Sequence, residues 1–128
     1  MLYIVDGGME GPNVVDNAMA TIQGEVGSAL GTAVAHVGDV NGDQMSDIVV
    51  GDYLTSSIHI VYGPIQGSIP AEDIVRLENR GTDQFGASLA GGYDFTDDDV
   101  LDFVVGAPIA SEGFSQNGVV LMLEGLGL

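Results

Sequence analysis

Two acidic stretches place oxygen-bearing side chains at matching intervals. Asp39, Asn41, Asp43 and Asp47 hold positions 1, 3, 5 and 9 of residues 39–47. Asp94, Thr96, Asp98 and Asp102 hold the same positions of residues 94–102. Alternate residues of a tightly turning loop can aim their side chains at one point. Carboxylates, an amide or hydroxyl, and main-chain carbonyls form an all-oxygen donor set. Calcium takes six to eight such ligands at about 2.3–2.6 Å. At position 7, Met45 and Val100 would each add a main-chain carbonyl. The spacing therefore predicts two calcium ions per chain, one in each loop. Magnesium demands stricter octahedral geometry and keeps its waters, and zinc prefers nitrogen and sulfur. An EF-hand would need glycine at position 6 and Glu at position 12, but Gln44 and Val50, or Asp99 and Val105, stand there. The bland alternative is an Asx-rich surface turn, because Asp and Asn favour turns anyway. Repetition of the whole pattern, 55 residues apart, favours the metal. Asp97 and Asp99 are expected to point to solvent and to add only to the attractive field.

The elements around the loops repeat as well. Each loop runs into an apolar segment, Ile48-Val49-Val50-Gly51 or Phe103-Val104-Val105-Gly106. Leu30-Gly31 aligns with Phe85-Gly86 at the same offset. Leu2-Tyr3-Ile4-Val5 aligns with Ile58-His59-Ile60-Val61, and a third copy lies at 119–125, at offsets of 56 and then 61 residues. A period near 55 belongs to propellers, solenoids and arrays. Short apolar runs between turn signals predict strands near 2–5, 19–23, 31–37, 47–51, 58–62, 74–78, 86–91, 102–106 and 118–123. Residues 12–19 allow a helical turn or a loop; no segment shows helical periodicity over three turns.

Phe85-Gly86, an aspartate-rich loop and then Gly106-Ala107-Pro108 resemble the FG-GAP repeat of integrin α-subunit propellers and their prokaryotic relatives. The first repeat departs from the pattern, with Leu30-Gly31 and Gly51-Asp52-Tyr53 in those places. The resemblance implies an all-β fold of four-stranded β-propeller blades, about two in this chain. It also implies that calcium binds between the first and second strands of a blade. On this reading residues 1–26 end a preceding blade, residues 27–80 form repeat 1 and residues 81–128 form repeat 2.

The charge is one-sided. Nineteen acidic residues face Arg76 and Arg80, for a net charge of −17, and about half of the carboxylates lie in or beside the two loops. Yet 45% of residues are hydrophobic, so this is a folding chain and not a disordered acidic tail. Two calcium ions would leave −13, an excess that suits either a cold, marine or high-salt milieu, where salt shortens the range of repulsion to about 3 Å at 1 M, or simply an acidic extracellular protein. Without a basic patch, nucleic acid and anionic membrane surfaces are disfavoured as partners. No apolar run is long enough to span a bilayer, and no signal peptide is visible. With no cysteine there is no disulfide or thiol chemistry.

No nucleophile–base constellation emerges. His36 and His59 read as packing or surface residues of strands, and the many acids make chance carboxylate pairs inevitable. No phosphate loop of the Gly-x-x-x-x-Gly-Lys type is present. Tyr53, Tyr62, Phe85, Tyr93, Phe95 and Phe103 lie at strand ends, where packing between blades is expected over stacking on sugars. The expected function is a non-enzymatic, calcium-binding interaction or adhesion scaffold, extracellular or at the cell surface, with a protein or glycan ligand. The alternative is the accessory propeller of a secreted polysaccharide hydrolase or lyase. Closed propellers need four to eight blades. The expectation is thus a homo-oligomeric ring of three or four copies, or a piece of a longer chain; Met1 standing directly before a strand suits the latter. Val34, Val49, Leu89 and Val104 are expected in the layers between blades.

Overall fold

The structure, a computed structural model, describes all residues except 9, 13, 80–82, 112–115 and 127–128, so Arg80 lies outside the described residues. Among the described residues, ten strands form three sheets: β1 (Leu2–Ile4), β2 (Ala20–Ile22), β3 (Val34–Gly38), β4 (Asp47–Asp52), β5 (Ser57–Val61), β6 (Gly67–Ile69), β7 (Ile74–Glu78), β8 (Ser88–Tyr93), β9 (Asp102–Ala107) and β10 (Val119–Leu123). All nine strands expected from sequence are present. Val14–Asn17 and Ala71–Asp73 form short 3-10 turns, the first within the segment where a helical turn was allowed.

The middle sheet is a complete antiparallel blade in the order β3-β4-β5-β7. The C-terminal sheet has the order β8-β9-β10, also antiparallel. The N-terminal sheet joins β1 antiparallel to β2, and β2 parallel to β6. The architecture is therefore that of propeller blades, all-β and not closed into a ring within this chain.

The core lies between the middle and C-terminal sheets. Val37, Val49, Ile58 and Ile60 meet Phe85, Phe103, Val105 and Ala107, with Ala35, Val75, Leu77, Leu89, Leu121 and Leu123 packed around them. Phe85-Gly86 plugs the joint. Gly86 takes a left-handed φ of 89°, and a Cβ there would run into the Ser57 carbonyl. The other face of the middle sheet carries Val50, His59 and Val61. It meets the segment after β2, where Arg76 Nη1 stands 3.4 Å from Glu25 Oε1. Asp52, which replaces the alanine of the motif, is buried and accepts the Ala29 amide at 2.8 Å. The departure from Gly-Ala-Pro thus ties this segment to the end of β4.

Two of the four expected core positions differ. Val49 is buried and Leu89 packs on the core, but Val34 is 51% exposed and Val104 is only partly buried, on the outer face of its sheet. Val105, which pairs with Leu89 and Leu121, takes the inner position instead. The cause is sidedness: Val34 pairs with Val50 on the face turned away from the C-terminal sheet, and Val104 points away from the middle blade. The last repeat offset also needs correction. Gly51 pairs with Ile58 while its equivalent Gly106 pairs with Val120, so the offset in this strand is 62 and not 61. A slip of one residue exchanges the two faces of a strand. Val119 therefore faces inward and Val120 outward.

Candidate functional site

Both acidic loops join the first strand of a sheet to the second: β3 to β4, and β8 to β9. Their backbones are wound alike. Positions 4 and 6 take left-handed φ in each, at Gly42 (83°) and Gln44 (69°), and at Asp97 (63°) and Asp99 (67°). Glycine suits position 4 of the first loop, and Asp is among the residues that tolerate this region at the same position of the second.

The hydrogen bonds match position by position. Asp39 Oδ1 accepts the amides of Gly42 at 2.6 Å and Asp43 at 3.1 Å, and its Oδ2 accepts Gln44 at 2.7 Å. Asp94 does the same with Asp97 at 2.7 Å, Asp98 at 3.2 Å and Asp99 at 2.9 Å. Position 5 accepts the amide of position 7: Asp43 from Met45 at 2.8 Å, and Asp98 from Val100 at 2.9 Å. Some desolvation pushes the Asp39 and Asp94 carboxyls up, but four amide hydrogen bonds to each outweigh it and hold both below the usual 3.8.

Position 9 anchors each loop to its sheet. Asp47 is buried and accepts Val40 N and Gly63 N, each at 2.9 Å. Asp102 is buried and accepts Phe95 N at 2.8 Å, Thr96 N at 3.2 Å and Gly125 N at 3.1 Å. Gly63 and Gly125 both lie just beyond third strands. Sequence reasoning missed that each donates to a loop carboxylate. The glycine recurring after the third strand of both copies was the available signal.

Position 3 differs between the loops. Asn41 turns onto Asp43, with Nδ2 at 3.0 Å from Oδ2, whereas Thr96 Oγ1 lies 3.3 Å from Asp102 Oδ2. Each predicted set thus shares one loop. However, among the described residues no three acidic or histidine side chains come together as a metal-holding group. The carboxylates are instead engaged by main-chain amides. Hard oxygen donors at alternate positions of a duplicated, tightly wound loop are of the kind that calcium takes.

No family model matches the chain. Among curated proteins it is similar to integrin alpha-M of Mus musculus, 34% identical over 93 residues, covering 66% of this chain and 8% of that protein. Integrin alpha-6 of Gallus gallus is 36% identical over 67% of this chain and 8% of its own length. Integrin alpha-D of Homo sapiens is 28% identical over 84% of this chain and 9% of its own length. The chain is an integrin α-like FG-GAP region. It spans less than a tenth of the relatives it matches. Within this FG-GAP region the acidic loops sit between first and second strands, as the resemblance implied.

Proposed function

We propose that this chain is a non-enzymatic section of a cell-surface or extracellular propeller, serving as an interaction or adhesion scaffold whose blades are stiffened by calcium. The observation that carries this reading is the duplicated loop. Two stretches with different residues at positions 2, 3, 4, 6, 7 and 8 adopt one winding and one amide pattern. Asp39, Asn41, Asp43, the Met45 carbonyl and Asp47 would hold one ion. Asp94, Thr96, Asp98, the Val100 carbonyl and Asp102 would hold the other. A bound calcium supplies positive charge among carboxylates that otherwise repel one another.

Further blades complete the propeller on this reading, from the rest of a longer chain or from other copies closing a ring. The outer face of the C-terminal sheet supports it. That face carries a shallow groove of about 210 Å³ lined by Ala90, Val104, Gly106 and Val120, and among the described residues β10 is an edge strand. Protein or glycan ligands remain the candidate partners.

Thermal unfolding with calcium and with chelator tests the metal. Ion binding to the folded state alone adds about 2.7 kcal/mol at a hundredfold excess over Kd. The melting temperature should fall on chelation, and Asp43→Ala or Asp98→Ala should each remove about half of the effect. An unchanged melt with chelator refutes calcium binding while leaving the propeller architecture intact.

A further inference from the structure

The two loops are joined by a turn that belongs to neither. After β10 the chain passes between them. Gly125 N donates to Asp102 Oδ1, the position 9 carboxylate of the second loop, at 3.1 Å. The next residue, Leu126, donates its amide to Val40 O, at position 2 of the first loop, at 2.5 Å. Val40 in turn donates its own amide to Asp47 Oδ2, the position 9 carboxylate of the first loop, at 2.9 Å. A line of three hydrogen bonds therefore runs from Asp102 through Gly125, Leu126 and Val40 to Asp47. Both ends of this line are buried carboxylates.

Packing reinforces the line. A Cβ on Gly125 would collide with Val100 Cγ1 and stand 2.6 Å from Leu101 O, so the turn presses directly on the second loop. A Cβ on Gly42 would stand 2.8 Å from Leu126 Cδ2, so the same turn also touches the first loop. Leu101, at position 8 of the second loop, lies against Gly38 just before the first, where a Cβ would collide with Leu101 Cδ1.

We propose that Gly125 and Leu126 are positioning residues shared by the two loops, so that calcium in the second loop raises the affinity of the first. The proposal rests on the calcium reading given above. An ion that fixes Asp102 fixes the Gly125–Leu126 peptide, and this holds the Val40 carbonyl and the start of the first loop. The first loop then has less left to order when its own ion arrives, which is coupling through prior ordering.

The test is calorimetric titration of the intact chain with calcium chloride. Loop 1 affinity is measured in the parent, in Asp98→Ala, in Leu126→Gly and in the double variant. Leu126 sits at a φ of 54°, where glycine is at ease, so Leu126→Gly removes the contact with Gly42 without straining the turn. Asp98→Ala should weaken loop 1 about fivefold in the parent. In the Leu126→Gly background, which keeps the amide to Val40 but loses the side-chain contact with Gly42, the effect on loop 1 should shrink, and Leu126→Met should retain it in full. In Asp43→Ala, filling loop 2 should shift the amide resonances of Leu126 and Val40. Two ions binding with loop 1 indifferent to Asp98→Ala would overturn the coupling and leave the calcium reading standing. Absence of binding heat at both loops would overturn the two together.

Discussion

The middle and C-terminal sheets are built from equivalent residues and end in different environments. Ile58 and Ile60 of the middle sheet are both 0% exposed; their structural equivalents Val120 and Met122 are 72% and 48% exposed. Val49 is buried and its equivalent Val104 is only partly so. The strands, registers and acidic loops are otherwise alike. The difference arises because, among the described residues, the middle sheet has a neighbour on each face and the C-terminal sheet has one only on the face toward the middle sheet. The apolar pattern of a blade is thus written for the stack. Its outward residues acquire their packing partners from the next blade and not from their own sheet.

The comparison can be broken most sharply at the glycines before the first strands. Gly86 and its equivalent Gly31 both hold left-handed φ, at 89° and 96°. Gly86 is wedged against the Ser57 carbonyl and the Asp52 amide, whereas the nearest atom a Cβ on Gly31 would meet is Leu2 Cδ1 at 3.8 Å. Gly31→Ala should cost about 1–2 kcal/mol for the dihedral alone. Gly86→Ala adds a clash with main chain that cannot swing aside and should reach about 4 kcal/mol, in the exceptional range. Equal losses in urea unfolding would mean that the joint between the sheets is not the constraint. The next largest contrast is Ile58→Ala against Val120→Ala. The first leaves a cavity in the core and should cost about 3 kcal/mol, and the second should stay within about 0.5 kcal/mol. A large loss at Val120 in this chain would show that its face is already covered in solution.

Features repeated along the chain were legible in the sequence. The loop spacing and the 55-residue offset located both acidic loops between their strands, and turn signals located nine strands. Features set by distant main-chain contacts were not. Strand β6 is three residues long and pairs in parallel with β2 by backbone alone, so no side-chain pattern announces it. The facing of β10 was lost because Val119 and Val120 are both apolar, and only the ladder to β9 fixes which one points inward. Gly125 and Leu126 were invisible for the same reason. Their role lies in two amides that reach Asp102 and Val40, far away in sequence. The places of the two acidic loops between strands were therefore readable, but not the elements that hold the loops against each other.

The smallest contrast concerns pH. His59 lies in the middle sheet between Val50 and its cross-strand neighbour Arg76, and its structural equivalent in β10 is Leu121, which cannot titrate. Burial, and then the charge of Arg76, push the imidazole below its ordinary 6.5, and the carboxylates of Asp52, Glu25 and Glu78 pull the other way without prevailing. A histidine held below its unfolded value resists protonation in the folded state, so the unfolded chain binds more protons as the pH drops. Stability should therefore be complete above about pH 6.5 and decline as pH falls from there through the lowered folded value. The Asp39 and Asp94 carboxyls, held below 3.8, lose their contribution only at lower pH, so the two windows separate. With chelator present, to remove competition between protons and calcium, unfolding free energy should slope downward just below pH 6.5 in the parent. In His59→Leu, which gives the middle sheet the residue type of the C-terminal one, the curve should stay level until the carboxylate window. An identical slope in both proteins would place the titrating group elsewhere and remove this difference between the sheets.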